Sequence, residues 1–470
     1  MRFKLSGMVG LLACIALFGC EDMDPKSTSI EVSLPDKNPY PSTYSASGSK
    51  PLALLGANVL TGDGAELLDV DVWVADGKIV AIGADLEIPE GVARIAVDGR
   101  WLTPGLIDVH SHMGVYSAPG TANHNDGNEM TSPVTPQVWA EHSVWPQDPQ
   151  FEKALAGGVT TLQILPGSGN LIGGRGVTLK NVRSLTVQGM KFPGAPYSLK
   201  MACGENPKGY YGSLNQLPST RMGNMAGYRA AWIEATEYKR GWDNYVAAAS
   251  AGEDIDPPDR DLRLETLVGV LEGDIRIHNH CYMVDEMAQM IDMSKEFGYE
   301  IAAFHHAVEA YKAAPMLAEE NICAVMWADW WGFKQEAFDM VRENLALVDD
   351  MQACAVIHSD DPIHVQRLNQ EVAKAMSAGN RMGLEISPGR AIRWATLNAA
   401  KSLGLDDQIG SLAPGKNADI VLWSQHPLSV YSLAQQVWID GHLRFDRGDA
   451  SVQPTSDFNL GIITPGAIRP

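Results

Sequence analysis

The chain has 470 residues, with 36 Lys and Arg against 57 Asp and Glu, for a formal charge of −21. With 45% hydrophobic and 20% charged residues it can bury a full core, which excludes wholesale disorder. The acidic balance argues against nucleic acid as a partner, because phosphate binding needs clustered Lys and Arg.

At the start of the chain, Arg2 and Lys4 precede an apolar run, residues 8–18, that ends in Leu17-Phe18-Gly19-Cys20. A basic start, a short apolar core and a small residue before the cut define a secretory signal, and the run is too short for a transmembrane helix. This version resembles the bacterial lipoprotein signal. The resemblance implies removal of residues 1–19, a lipid on Cys20 and a periplasm-facing location in the cell envelope. Glu21 follows the cysteine where inner-membrane retention would need Asp, which favours the outer membrane. Residues 20–50 are rich in Ser, Pro, Asp and Lys and read as a flexible tether.

Residues 51–104 alternate short β-like runs with turns at Gly62-Asp63-Gly64, Asp76-Gly77 and Asp98-Gly99. Asp-Gly between alternating apolar runs is a hairpin signal. The same texture returns in 406–470, with Asp440-Gly441. These two ends predict one small β-sandwich built from both termini. Between them, residues 105–405 alternate apolar strands with helices, as parallel α/β folds do. The candidate strands are LIDVH, VTTLQIL, YSLKMAC, IRIHNH, EIAAFHH, ICAVMWAD and ACAVIHSD, with helices predicted at 285–297 and 307–321. Histidines and acids sit at the strands' C-terminal ends, where a (β/α)8 TIM barrel keeps its active site.

The first strand closes with His110-Ser111-His112. Side chains two apart on a strand share a face, so both imidazoles can reach one ion. The surrounding PGLIDVHSH, with GVTTLQILPG, GGRGVTLK, LKMACGENPKG, ADWWGFK, HSDDP and ATLNAAKSLGL…GSLAPGKNADIVLW in order, resembles the amidohydrolase superfamily of metal-dependent hydrolases. Its imidazolonepropionase-like and prolidase-like group is the nearest in look. The likeness runs from residue 52 onward.

The resemblance implies a catalytic metal centre. His110 and His112 match the first-strand ligands. On the fifth strand His278 matches best, with His280 as the alternative and the other of the two left as a substrate contact or support. His306 matches on the sixth strand, with His305 expected in the wall, and Asp360 matches the catalytic carboxylate of the eighth. For the carboxylate that bridges two ions in some members, the fourth strand offers Lys200, as a carboxylated lysine, or Glu205. Lys200 is preferred, because a lysine within a barrel strand is costly unless its charge is used or removed.

Such ligands suit Zn²⁺, in one or two ions. Hydrolysis of a carbon–nitrogen bond in a small-molecule or dipeptide-like substrate follows, with Asp360 moving the proton. Deamination of a cyclic amidine is the rival. It would call for a Glu three positions after the fifth-strand His, where this chain has Cys281 or Met283. A binding lipoprotein with a decayed site is a third reading, weakened by the intact His set and Asp360.

Trp327, Trp330 and Trp331 either wall the pocket or pack under the rim. Arg221 and Arg229 either clamp a substrate carboxylate or form surface ion pairs. GSGNLIGGRG is expected to form a tight loop, and Cys203, Cys281, Cys323 and Cys354 to be buried free thiols. Oligomeric state is left open.

Overall fold

The computed structural model describes residues 34–46 and 48–453. The signal sequence, Cys20 and most of the tether therefore lie outside the described residues. Within them, Lys37 pairs with Glu272 at 2.8 Å, the Thr43 amide donates to the Gln188 carbonyl, and Tyr44 donates to Asp440 at 2.6 Å. The chain thus runs along the body before its first strand. No helix among the described residues is long and apolar enough to cross a membrane.

Five strands follow: β1 (Leu52–Leu60), β2 (Glu66–Ala75), β3 (Lys78–Gly83), β4 (Ala93–Ala96) and β5 (Trp101–Pro104). Eight strands then form the central sheet: β6 (Leu106–Ser111), β7 (Val159–Ile164), β8 (Ile172–Lys180), β9 (Tyr197–Ala202), β10 (Ile275–Cys281), β11 (Ile301–His306), β12 (Cys323–Met326) and β13 (Cys354–Ile357). The chain closes with β14 (Ile420–Trp423), β15 (Ala434–Ile439) and β16 (His442–Asp446).

The two ends join as expected, but in a single sheet, and the second layer that a β-sandwich requires is not shown among the described residues. Strands β1–β5 and β14–β16 hydrogen-bond into one sheet, joined where β14 runs antiparallel to β5. Its inward residues, including Leu54, Val59, Val72, Ile420 and Trp438, make a core of their own. Asp76-Gly77 and Asp440-Gly441 turn with positive φ at both residues, as tight hairpins require. Asp98-Gly99 turns in the same way, but β4 and β5 each pair in parallel with β1.

The central sheet runs in the order β6 to β13 and is nearly closed into a barrel. Beyond the last strand, the Asp360 amide donates to the His110 carbonyl at 3.1 Å, bringing the two edges together. Strands β6, β7, β9 and β11 are buried at every residue, as expected when helices cover a sheet whose other face is filled. Helices Val284–Phe297 and Ala310–Glu319 fall where the sequence places them.

One strand departs from the expected pattern. β8 is antiparallel to both neighbours, so the barrel is not wholly parallel. It takes in residues 172–176, the second half of the glycine-rich segment expected to be a tight loop. A Cβ on Gly174, whose φ is +113°, would meet the Val138 carbonyl oxygen at 2.3 Å, and one on Gly176 would meet Ser198 Oγ at 2.4 Å. Those glycines let the backbones approach where side chains would collide.

The cysteines also depart from expectation. Cys203 is bonded to Cys281 and Cys323 to Cys354. The register places Cys323 opposite Cys354, and the Cys203 amide donates to the His280 carbonyl at the ends of β9 and β10. Register supplies the geometry that adjacency alone did not guarantee.

Candidate metal centre

At the C-terminal end of β6, His110 is fully buried and His112 turns toward the barrel mouth. Their Nε2 atoms lie 3.5 and 3.2 Å from Asp360 Oδ1. His112 Nδ1 donates to the Leu165 carbonyl at 2.8 Å. A carbonyl only accepts, so a proton sits on Nδ1, and Nε2 is the ring atom turned toward the carboxylate.

Asp360 is set in place by backbone geometry. It adopts φ +52°, and the preceding Ser359 donates to Asp108 through its amide at 3.1 Å and its hydroxyl at 2.5 Å. Asp108 is fully buried on β6, and burial, partly opposed by the Ser359 bonds, pushes its carboxyl up to about 6. It thereby ties the segment carrying Asp360 to the strand carrying the histidines. Its sequence signal was the Asp two positions before His110 in PGLIDVHSH.

His306 ends β11 at φ +69°. Its Nδ1 is 3.0 Å from His358 Nε2 and 3.9 Å from Asp360 Oδ2. Two sets of ligand atoms are close enough to share an ion: His110, His306 and His358, and His110, His112 and Asp360. His358 is the site residue that sequence reasoning missed. It stands two positions before Asp360 in HSDDP, the same spacing that singled out His110 and His112.

The two fifth-strand candidates are fully or almost fully buried on β10, outside both sets. His278 Nδ1 is 2.8 Å from His305 Nε2, and His305 Nδ1 is 2.9 Å from His110 Nδ1. His305 therefore points inward, not into the wall. His280 packs 4.5 Å from His306, centroid to centroid. Buried without a protein hydrogen-bond partner are His110 Nε2, His278 Nε2, both ring nitrogens of His280, and His358 Nδ1. Such a collection of unused donor atoms suits a metal, because buried polar atoms rarely go unpaired.

Burial pushes the imidazoles of His110, His280, His305 and His306 well below their ordinary range, His358 down to about 4 and His278 to about 3. They are neutral at physiological pH, the state a ligand needs. Lys200, opposite His278 on β9, is fully buried and donates to the Pro166 carbonyl at 2.9 Å. Burial, partly opposed by Asp360, lowers its amine to about 7.

The remaining candidates lie farther out. Glu205 opens the helix Glu205–Ser213, with its carboxylate 3.7 Å from Lys334 and its amide bonded to Glu336 at 2.6 Å. It belongs to neither ligand set. Arg221 and Arg229 are paired with Asp285 and Glu296 on exposed surface, at 2.8 and 2.6 Å, so the clamp reading gives way to surface ion pairs. Trp327 stacks on His306 at 4.4 Å, Trp330 stacks on Trp327 at 5.0 Å, and Trp331 is exposed. Two of the three tryptophans therefore form an aromatic wall beside the histidines.

Comparison with known proteins places the chain among amidohydrolases. A family model described as the amidohydrolase family matches residues 338–454. A solved amidohydrolase from Thermotoga maritima MSB8 is 34% identical, covering 84% of this chain and all of its own, with a TM-score of 0.76. Amidohydrolase tasK of Hapsidospora irregularis is 33% identical over 80% of this chain, which spans only 40% of that protein's length. An imidazolonepropionase of Pseudomonas paraeruginosa is 26% identical, covering 75% of this chain and 87% of its own.

Proposed function

The chain belongs to the amidohydrolase superfamily, and from that premise we propose a zinc-dependent hydrolase that cleaves an amide, peptide or cyclic amide bond in a small substrate. The cation would be held among His110, His112, His306, His358 and Asp360. The observation that carries this reading is the convergence of ligand atoms close enough to share an ion, those of His110, His112 and Asp360 and those of His110, His306 and His358. When bound, a divalent ion lowers the pKa of water toward about 7 and polarises the scissile carbonyl.

Asp360, fixed through Ser359 and Asp108, takes the proton of the attacking water and passes it to the leaving amine. Trp330, half-buried and stacked on a Trp327 that is itself buried against His306, is the ring of this wall on which a substrate's ring or acyl group can lie.

For the bridge between two ions, full burial and an amine near 7 support Lys200 over Glu205. A neutral lysine nitrogen adds to carbon dioxide, forming an N–C bond and losing a proton, and the product is an anion. The likeness to an imidazolonepropionase supports a cyclic amide among the substrates. The deaminase reading is disfavoured because Cys281 is tied up in a disulfide and Met283 cannot transfer a proton. Residues 1–20 and the two disulfides support a lipid-anchored protein of the periplasm-facing envelope, since disulfides persist in oxidising compartments.

The test begins with zinc per chain in the protein made from residue 21. Wild type and Asp360→Asn are then compared on dipeptides, acyl amino acids and cyclic amides. One or two ions and a turnover loss of about 10²–10⁴ in Asp360→Asn are expected. A folded protein that takes up no metal would leave only a binding lipoprotein.

A further inference from the structure

The chain carries a formal charge of −21, yet one cleft on its surface has an excess of cations. The cleft has a volume of about 560 Å³ and lies between the helix Leu368–Met382, the segment joining β12 to β13, and Val430. Along that helix, Arg367, Gln370, Lys374, Ser377 and Arg381 all line it. Their spacing of three and four residues sets them in one row, roughly 21 Å from first to last. Every one of them can donate hydrogen bonds. Arg342 lines the cleft from the segment before β13.

Two carboxylates also line it, and one cation takes both. Lys374 Nζ lies 2.7 Å from Asp329 and 2.8 Å from Glu371. The Glu371 side chain is nearly inaccessible, so Lys374 is held from within and ties the helix to the segment carrying Asp329. His364, which also lines the cleft, is matched by Asp361 at 2.8 Å. Arg342, Arg367 and Arg381 form no ion pair among the described residues, and Arg381 donates to Ser377 Oγ at 2.7 Å. The lining thus sets four cations against two carboxylates. Elsewhere on this acidic surface Arg221, Arg229, Arg260 and Arg263 each have a carboxylate partner.

Cations in one row repel each other, and an anion with charges spaced along the row removes that cost. Arginine forks match the oxygens of phosphate and carboxylate groups. A large polyanion would meet the acidic remainder of the molecule, whereas a small one meets only the cleft. Ile363 and Val430, 59% and 64% exposed, also line the cleft and offer apolar surface to the body of a ligand.

We propose that this cleft binds a small molecule bearing two or more phosphate or carboxylate groups. The site is separate from the candidate metal centre, since none of the candidate ligands lines it. The two adjoin only where the ring of His364 meets that of Trp330, 5.0 Å between centroids.

The experiment is calorimetric titration of the protein made from residue 21 with tripolyphosphate and with tricarballylate, at low and high salt. Saturable binding of at least one probe, one per chain and weaker at high salt, is expected. Replacing Arg342, Arg367 and Arg381 together by Gln should weaken it by about 10-fold or more. All three side chains are exposed, so the variant is expected to fold. Arg221→Gln with Arg229→Gln should keep wild-type affinity. Binding unchanged in the triple variant, as chelation of a metal would be, overturns the proposal, and so does the absence of saturable binding by either probe. A third arm uses phosphatidylglycerol vesicles. Retention on them that needs the three arginines, with neither small anion bound, would make the cleft a membrane contact and overturn the proposal as well.

Discussion

Lys200 is the residue whose environment makes the sharpest prediction. A lysine enclosed in a barrel strand loses its hydration, and its amine falls to about 7 from the ordinary value of 10.5. Between those two values the unfolded chain holds a proton that the folded chain does not, so folding stability rises with pH across that window. Below about 7 both states hold the proton, and the full cost of a buried ammonium is present. In metal-free protein kept without carbon dioxide, denaturant titrations from pH 7 to 10 are expected to show stability climbing by a few kcal/mol. Lys200→Met should flatten that climb and be the more stable protein at pH 6. A rise unchanged in Lys200→Met would assign it to other groups. Asp108 illustrates the complementary case, a buried carboxyl kept for the two bonds from Ser359 that set Asp360.

At the scale of elements, the pairs of cysteines join neighbouring strands at opposite ends of the barrel wall. Cys203–Cys281 lies near the C-terminal ends of β9 and β10, and Cys323–Cys354 at the starts of β12 and β13. The second closes a separation of 31 residues, for which loop-closure entropy gives about 3–4 kcal/mol. Replacing Cys323 and Cys354 together by Ala should lower the unfolding free energy by that order. A thiol count on the denatured, unreduced wild-type chain should find none of these four cysteines free. Four reactive thiols would contradict the bonded arrangement. These bonds were not legible in the sequence, because strand register decides whether two sulfurs meet, and register is a three-dimensional property.

The same limit hid β8. Ile172–Lys180 carries three glycines, which weaken a strand by propensity, and tertiary approach makes them necessary. The helices and the other seven barrel strands were legible because apolar patterning reports on burial directly, and the ends of the chain because Asp-Gly marks their turns. His110 and His112 could be singled out by their two-residue spacing on a strand, whereas His306 and Asp360 were singled out through the family resemblance. His358 was not, since it lies just past the last regular residue of β13, nor was the inward turn of His305, since strand alternation puts adjacent residues on opposite faces and the positive φ of His306 breaks that alternation.

Across the whole molecule, the two-ended sheet is fastened to the barrel through charge as well as contact. Lys180, at the end of β8, lies 2.8 Å from Asp440 and 3.6 Å from Asp419, and all three side chains are nearly inaccessible. Asp440 turns the β15–β16 hairpin, and it also accepts from Tyr44 of the segment preceding β1. One lysine thus joins three distant stretches of chain. Burial, opposed by Lys180 and reinforced by Asp440, raises the carboxyl of Asp419 above its usual range. A raised carboxyl binds its proton more readily when folded, so this group costs stability as pH climbs from the ordinary carboxylate value. Lys180→Met removes the compensating cation and leaves two buried carboxylates together. A loss on the order of 3–5 kcal/mol is expected at neutral pH. Because protonation relieves the repulsion, the deficit against wild type should shrink as pH falls toward about 4.5. Asp440→Asn in the Lys180→Met background should recover part of the loss at pH 7 and little at pH 4.5. A deficit independent of pH would show that Lys180 acts through packing, and the electrostatic account of the fastening would fall.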